Sequence, residues 1–215
     1  MPHPASLILG GVLALATAAP PAVADGIAGR FDFYVLSMAW SERPCASDED
    51  DYDEILCAAG NNGFDFLGLA PRHEVGAPTS CATLLPAELS DDVLVAVNDF
   101  MPRSLAAEEW AVRGVCSGLR ARAYFDLARR AVATVVIPSD LTRPNVAARL
   151  TPSQIQADFV AANPGMTADG LAVDCRRGVF TGIKVCLTKD LAFRPCEEVH
   201  ATSCQGNYLE IPEIE

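Results

Sequence analysis

All eight cysteines of the 215-residue chain lie beyond residue 44, at Cys45, Cys57, Cys81, Cys116, Cys175, Cys186, Cys196 and Cys204, downstream of an apolar N-terminal run. An even cysteine count in an exported chain reads as a disulfide framework, because free thiols are a liability in an oxidising compartment. Zinc is the rival use of cysteine, but no CxxC and no Cys/His pair at finger spacing supports it. The sequence therefore predicts four disulfides, and proximity favours Cys45 with Cys57. Its last four cysteines crowd into a short C-terminal stretch whose pairing the spacing leaves open.

The apolar run is Leu7 to Ala19, followed by Pro20, Pro21 and then Ala22-Val23-Ala24 before Asp25. A short apolar core followed by small residues at the cleavage positions is the pattern of a secretory signal. A membrane anchor would need ~20 apolar residues, and this run is shorter. We therefore expect a signal peptide at 1–24 and one domain at 25–215, exported to a periplasm or outside the cell, free of the membrane and monomeric. The formal net charge of −12 falls wholly on that domain. Such a balance argues against sequence-blind clinging to nucleic acid while leaving room for a small basic cleft.

Along the domain, Phe31 to Ala39 is a β-branched and aromatic run of strand length, and Gly63 to Leu69 reads as a second strand passing into a loop at Pro71. Asp48 to Glu54 is read as a solvated acidic loop between Cys45 and Cys57, without the ligand order of a calcium loop. Ser90-Asp91-Asp92 predicts a helix start, since a side-chain oxygen and acidic residues both suit the positive end of the helix dipole. A second helix is expected from Ser104 to Gly114. A third, over 120–135, carries Tyr124, Leu127, Ala128 and Ala131 on one face. Thr151-Pro152-Ser153-Gln154 holds the cap, the first-turn proline and the capping-box glutamine of a fourth helix, which Asn163-Pro164-Gly165 stops. Leu171 to Cys175 and Val179 to Leu187, joined through Arg177-Gly178, read as a hairpin. Helices in the middle and strands at both ends give an α+β class.

The order Phe33-Tyr34-Val35-Leu36 to Trp40-Ser41, Cys45, Gly63-Phe64 to Leu67-Gly68-Leu69-Ala70-Pro71, Glu109-Trp110, Gly114, Cys116-Ser117-Gly118-Leu119 resembles the ribonuclease T2 family. So do Tyr124-Phe125 with Leu127-Ala128, Ala162-Asn163-Pro164-Gly165, Lys184-Val185-Cys186-Leu187, Asp190-Leu191 and Phe193-Arg194-Pro195-Cys196. The likeness is collinear over nearly the whole domain. It implies a ribonuclease T2-like fold with an antiparallel sheet and packed helices, and disulfides Cys81–Cys116, Cys175–Cys204 and Cys186–Cys196. It also implies endonucleolytic cleavage of single-stranded RNA by attack of the ribose 2′-OH, through a 2′,3′-cyclic phosphate, with no metal or cofactor.

That reaction needs one group to take the 2′-OH proton, one to protonate the leaving 5′-oxygen, and a cation for the phosphorane; histidine suits the proton work. The family motif His-Gly-Leu-Trp-Pro stands here as Leu67-Gly68-Leu69-Ala70-Pro71, and His-Glu-Trp-x-Lys-His-Gly-x-Cys stands as Glu108-Glu109-Trp110-Ala111-Val112-Arg113-Gly114-Val115-Cys116. Scaffold letters survive where chemical letters do not. Leu67, Glu108 and Arg113 occupy the histidine positions, Val112 replaces the lysine, and Glu109 alone remains of the acid–base set. Arginine keeps a charge for phosphate but stays protonated and cannot act as base. Glu109 and Arg113, four apart on a helix, are expected to pair.

Two other histidines remain in the domain. His73, with Arg72 beside it as a possible phosphate contact, and His200 are both read as surface residues. Two functions of different class follow. One is a non-catalytic protein of this fold kept for binding single-stranded RNA, nucleotides or a protein partner in the old cleft. The other is a residually active endoribonuclease with Glu108, Glu109 or His73 as proton acceptor and Arg113 as phosphate clamp.

Overall fold

The computed structural model describes residues 26–40, 63–77, 80–141 and 148–212. The signal, the acidic stretch Asp48 to Glu54 and the pair Cys45 and Cys57 lie outside them. In chain order the elements are β1 (Gly26–Ile27), β2 (Phe33–Trp40), β3 (Phe64–Arg72), β4 (Cys81–Ala82), α1 (Asp91–Val97), α2 (Arg103–Val112) and a 3-10 turn (Gly114–Ser117). Then come α3 (Ala121–Thr134), β5 (Ala148–Leu150), α4 (Pro152–Ala162), a 3-10 turn (Ala168–Gly170), β6 (Leu171–Arg176), β7 (Val179–Leu187), α5 (Glu197–His200) and β8 (Leu209–Ile211).

β2 lies inside the sheet, hydrogen-bonded to β3 on one side and β7 on the other. Side chains alternate faces along a strand, and here both faces are apolar. Tyr34, Leu36, Met38 and Trp40 join the main core under the helices, whereas Phe33 and Val35 pack with Ala172, Cys186, Cys196 and Val199 in a smaller cluster. That division explains why the strand reads as a continuous apolar run rather than as alternation. Trp110, Tyr124, Phe159 and Phe180 are fully buried in the main core, each adding about 1.5–3 kcal/mol relative to an exposed ring.

The α+β class holds, with three differences of detail. β3 continues through Pro71 to Arg72 instead of passing into a loop. Among the described residues it stands at the edge of the sheet, where a residue without an N–H leaves no ladder bond unmade. The sheet is mixed rather than antiparallel throughout, since β8 meets β7 in parallel at Val179 and Glu210; a separate two-stranded piece, β1 with β4, is also parallel. The second helix starts at Arg103 and ends at Val112, with Arg113 as its C-cap instead of the helix running on to Gly114.

The first helix starts after Ser90 as expected, although the Ser90 side chain makes no cap hydrogen bond. β6 and β7 form the hairpin through Arg177-Gly178. Thr151 and Gln154 close a reciprocal capping box at the start of α4, with Pro152 in its first turn. Asn163 ends that helix and, fully buried, its amide bridges Val136 N–H (2.7 Å) and Val136 C=O (2.8 Å). The three disulfides implied by the resemblance are present: Cys81–Cys116, Cys175–Cys204 and Cys186–Cys196. No helix among the described residues is long and apolar enough to cross a membrane.

Candidate functional site

The site begins with an irregularity in the sheet. From Phe33↔Arg72 to Ser37↔Gly68 the pairing of β2 and β3 runs in step, but the next pair is Met38↔Phe66. Leu67 is therefore the extra residue of a β-bulge. Bulges re-aim a side chain next to functional sites, and Leu67 is turned outward, 48% exposed. A hydrocarbon stands at a position the backbone is bent to present.

Beside the bulge, α2 comes down on β3 through Glu109. Its carboxylate is so close to Gly68 that a Cβ there would lie 2.6 Å from Oε2 and 2.7 Å from Oε1, so only glycine admits the contact. Leu69 N–H donates to Oε1 at 2.8 Å. The Tyr124 hydroxyl of α3 reaches the same oxygen and also lies 3.0 Å from the Leu69 carbonyl; with one proton to give, it gives it to the carboxylate when that group is ionised, the stronger acceptor. Arg113 Nη1 donates to Oε2, forming the expected ion pair.

Glu109 thus ties α2, β3 and α3 together, and it is 2% exposed. Burial pushes its carboxyl above the usual carboxylate range, against the pull of Tyr124, Arg113 and the Leu69 amide. The Tyr124 hydroxyl is held far above its ordinary value by burial and by the adjacent negative charge. A carboxylate with both oxygens bonded inward and almost no solvent contact is a strut. Its neighbours at the site face water instead: Glu108 is exposed, Val112 is 48% exposed, and the Arg113 side chain is 44% exposed with, among the described residues, one of its five N–H donors in use.

The remaining candidates stand elsewhere. Arg72 and His73 follow Leu67 by five and six positions on and just past β3, roughly 16 and 20 Å along a strand rising ~3.3 Å per residue. There Arg72 lies 3.9 Å from Glu198, and its Nε is buried without a hydrogen-bond partner among the described residues. His73 Nδ1 sits 3.5 Å from Asp32. His200, read from sequence as surface, is half-buried in α5, its Nδ1 3.0 Å from the Leu171 carbonyl. The fold thus brings Leu67, Glu108, Glu109, Val112 and Arg113 to one region and leaves Arg72, His73 and His200 out of it. Sequence reading missed Tyr124 as a site residue, taking it for core. The available signal was its polar tip on a helix face that is otherwise apolar, since a buried phenol seeks a partner.

Comparison with protein-family profiles gives no match. A stretch of 107 residues is 34% identical to a ribonuclease of Aeromonas hydrophila, covering 49% of this chain and 46% of that protein; the alignment thus spans about half of each. In three dimensions the chain is similar to an RNase-related protein from Calystegia sepium, with a TM-score of 0.65, 19% identity and coverage of 86% and 98% of the two chains. It is likewise similar to trichomaglin, an S-like ribonuclease, with a TM-score of 0.64, 17% identity and coverage of 86% and 100%. The fold is that of the ribonuclease T2 family. RNase NT, whose structure is a complex with 5′-AMP, matches at a TM-score of 0.57 with 18% identity over 85% of this chain and 98% of its own. Within a chain of this fold, the bulge at Leu67 and Gly68 on β3 lie beside Glu109 and its partner Arg113 on α2.

Proposed function

We propose that this chain is an exported T2-fold protein that binds single-stranded RNA or nucleotides in the family cleft and no longer cleaves them. One observation carries the reading. Where the scaffold presents side chains to solvent it presents Leu67, Glu108, Val112 and Arg113, while the one retained acid, Glu109, is sealed beneath them. Each positioned acid or base contributes ~10²–10⁴ to rate, so losing both leaves little turnover. Arg113, anchored to Glu109 through one nitrogen, keeps donors for a phosphate oxygen, which a planar guanidinium can meet in bidentate fashion. Nucleotide binding by relatives supports the cleft as a binding site: RNase NT is seen with 5′-AMP and a mutant of RNase MC1 with 5′-GMP. Export is supported by the N-terminal apolar run and by the disulfides, which belong to oxidising compartments.

The test is to incubate the purified chain with single-stranded RNA, follow cyclic-phosphate ends, and measure affinity in parallel. Expected are no cleavage above background and salt-sensitive binding that weakens in Arg113→Ala. Turnover that vanishes in Glu108→Gln, Glu109→Gln or His73→Ala would instead establish a re-equipped enzyme.

A further inference from the structure

On the other side of the sheet order from the bulge lies a cavity of about 280 Å³ lined by Pro152, Ser153, Gln156, His200, Ser203, Cys204, Gln205 and Gly206. It lies beside β6, three strands across from β3, about 14 Å away at ~4.8 Å per strand. It is separate from the Leu67–Arg113 region.

Its hydrogen-bonding capacity follows from its partners. Ser203 is 7% exposed, and its Oγ accepts from Val173 N–H at 2.9 Å and from Gln156 Nε2 at 3.4 Å. With both lone pairs taken, the hydroxyl has only its proton to offer, and among the described residues none accepts it. A buried polar hydrogen left without an acceptor costs about 1–3 kcal/mol, so the cavity this hydroxyl lines asks for an acceptor. Gln156 Nε2 also donates to the Leu171 carbonyl at 3.2 Å, which fixes the amide orientation and leaves Oε1 as an acceptor. The same carbonyl, able only to accept, selects the His200 tautomer with its proton on Nδ1 (3.0 Å), and that tautomer has an acceptor at Nε2. Apart from the exposed hydroxyl of Ser153 and the exposed amide of Gln205, the lining side chains thus offer one donor and two acceptors, and among the described residues no lysine, arginine or carboxylate lines the cavity.

We propose that this cavity binds a small neutral ligand through an amide edge, its carbonyl oxygen accepting from Ser203 and its N–H groups donating to Gln156 Oε1 and His200 Nε2. The absence of a lining cation and the net charge of −12 select against an anion. A primary carboxamide and a purine lactam edge share this pattern of one acceptor and adjacent donors.

The full isotope-labelled chain would be titrated by NMR with nicotinamide and, separately, with guanosine. Expected are saturable shifts at the Gln156, His200 and Ser203 amides, and an affinity about tenfold or more lower for N,N-dimethylnicotinamide or for Ser203→Ala. Because Ser203→Ala strips Val173 N–H of its acceptor, Ser203→Thr serves as the second variant. It keeps the hydroxyl and puts a methyl into the cavity, with the same loss expected. Binding of nicotinamide identifies a simple carboxamide; binding of guanosine alone identifies a nucleobase. Saturable shifts at those amides with neither probe, or affinity unchanged within about twofold in whichever variant folds, overturn the proposal.

Discussion

Glu109 carries a charge balance that can be read out as stability against pH. Burial raises its carboxyl above the ordinary range, so the folded protein holds that proton at pH values where the unfolded chain has released it. The sign follows from linkage: the contribution is fully present below the unfolded pKa and is lost as pH rises through the folded one. Glu109→Gln removes the titrating group and keeps an oxygen for Leu69 N–H and Tyr124. Melting curves of the two proteins should therefore converge in one direction only: any advantage of the native carboxyl over glutamine shrinks between mildly acid and neutral pH. A difference that grows over that range would show Arg113 outweighing burial. At the neighbouring position, Gly68→Ala places a Cβ within 2.6 Å of the same carboxylate, and a loss of about 1–3 kcal/mol is expected from overpacking, visible as a lower denaturant midpoint.

Among the elements, the strand pair β2 and β7 has its own requirement. Gly182 faces Ala39 across the ladder; a Cβ there would meet the Met38 carbonyl oxygen at 2.2 Å, and its φ of +146° suits glycine. Gly182→Ala is expected to cost about 1–3 kcal/mol by prying β7 from β2, checked by equilibrium unfolding and by faster amide exchange along β2. The elements legible in the sequence are those whose signals are local. Thr151, Pro152 and Gln154 announce α4 because cap and capping box are written within four residues, and the third helix shows in the spacing of Tyr124, Leu127, Ala128 and Ala131. β5 and β8 are three residues each, too short to display a period, and they exist because Ala148 finds Ile211 across more than sixty residues. The bulge at Leu67 is equally silent in sequence, since it is a relation between two strands and belongs to neither alone.

For the whole molecule, the proposed loss of chemistry falls on positions that face solvent, and that makes restoration a decisive experiment. Leu67 stands out on a bulge, Glu108 is exposed, and Arg113 is half in water, so histidine at each place displaces no core side chain. Exposed substitutions of this kind shift stability by about 0.5 kcal/mol or less, with Arg113→His costing somewhat more because it gives up the bond to Glu109 while keeping the same i,i+4 reach. Proton acceptor and donor act as a unit, so single variants should stay at background and activity should emerge only in the combination. The combined Leu67→His, Glu108→His and Arg113→His protein is expected to release cyclic-phosphate ends from single-stranded RNA with a bell-shaped dependence on pH, reporting one histidine as base and one as acid. The motif resemblance names the groups to restore, and the geometry shows Leu67, Glu108 and Arg113 open to solvent. A combined variant that folds with the native disulfides yet leaves RNA intact would mean that the cleft itself has drifted by the ångström that proton transfer does not forgive.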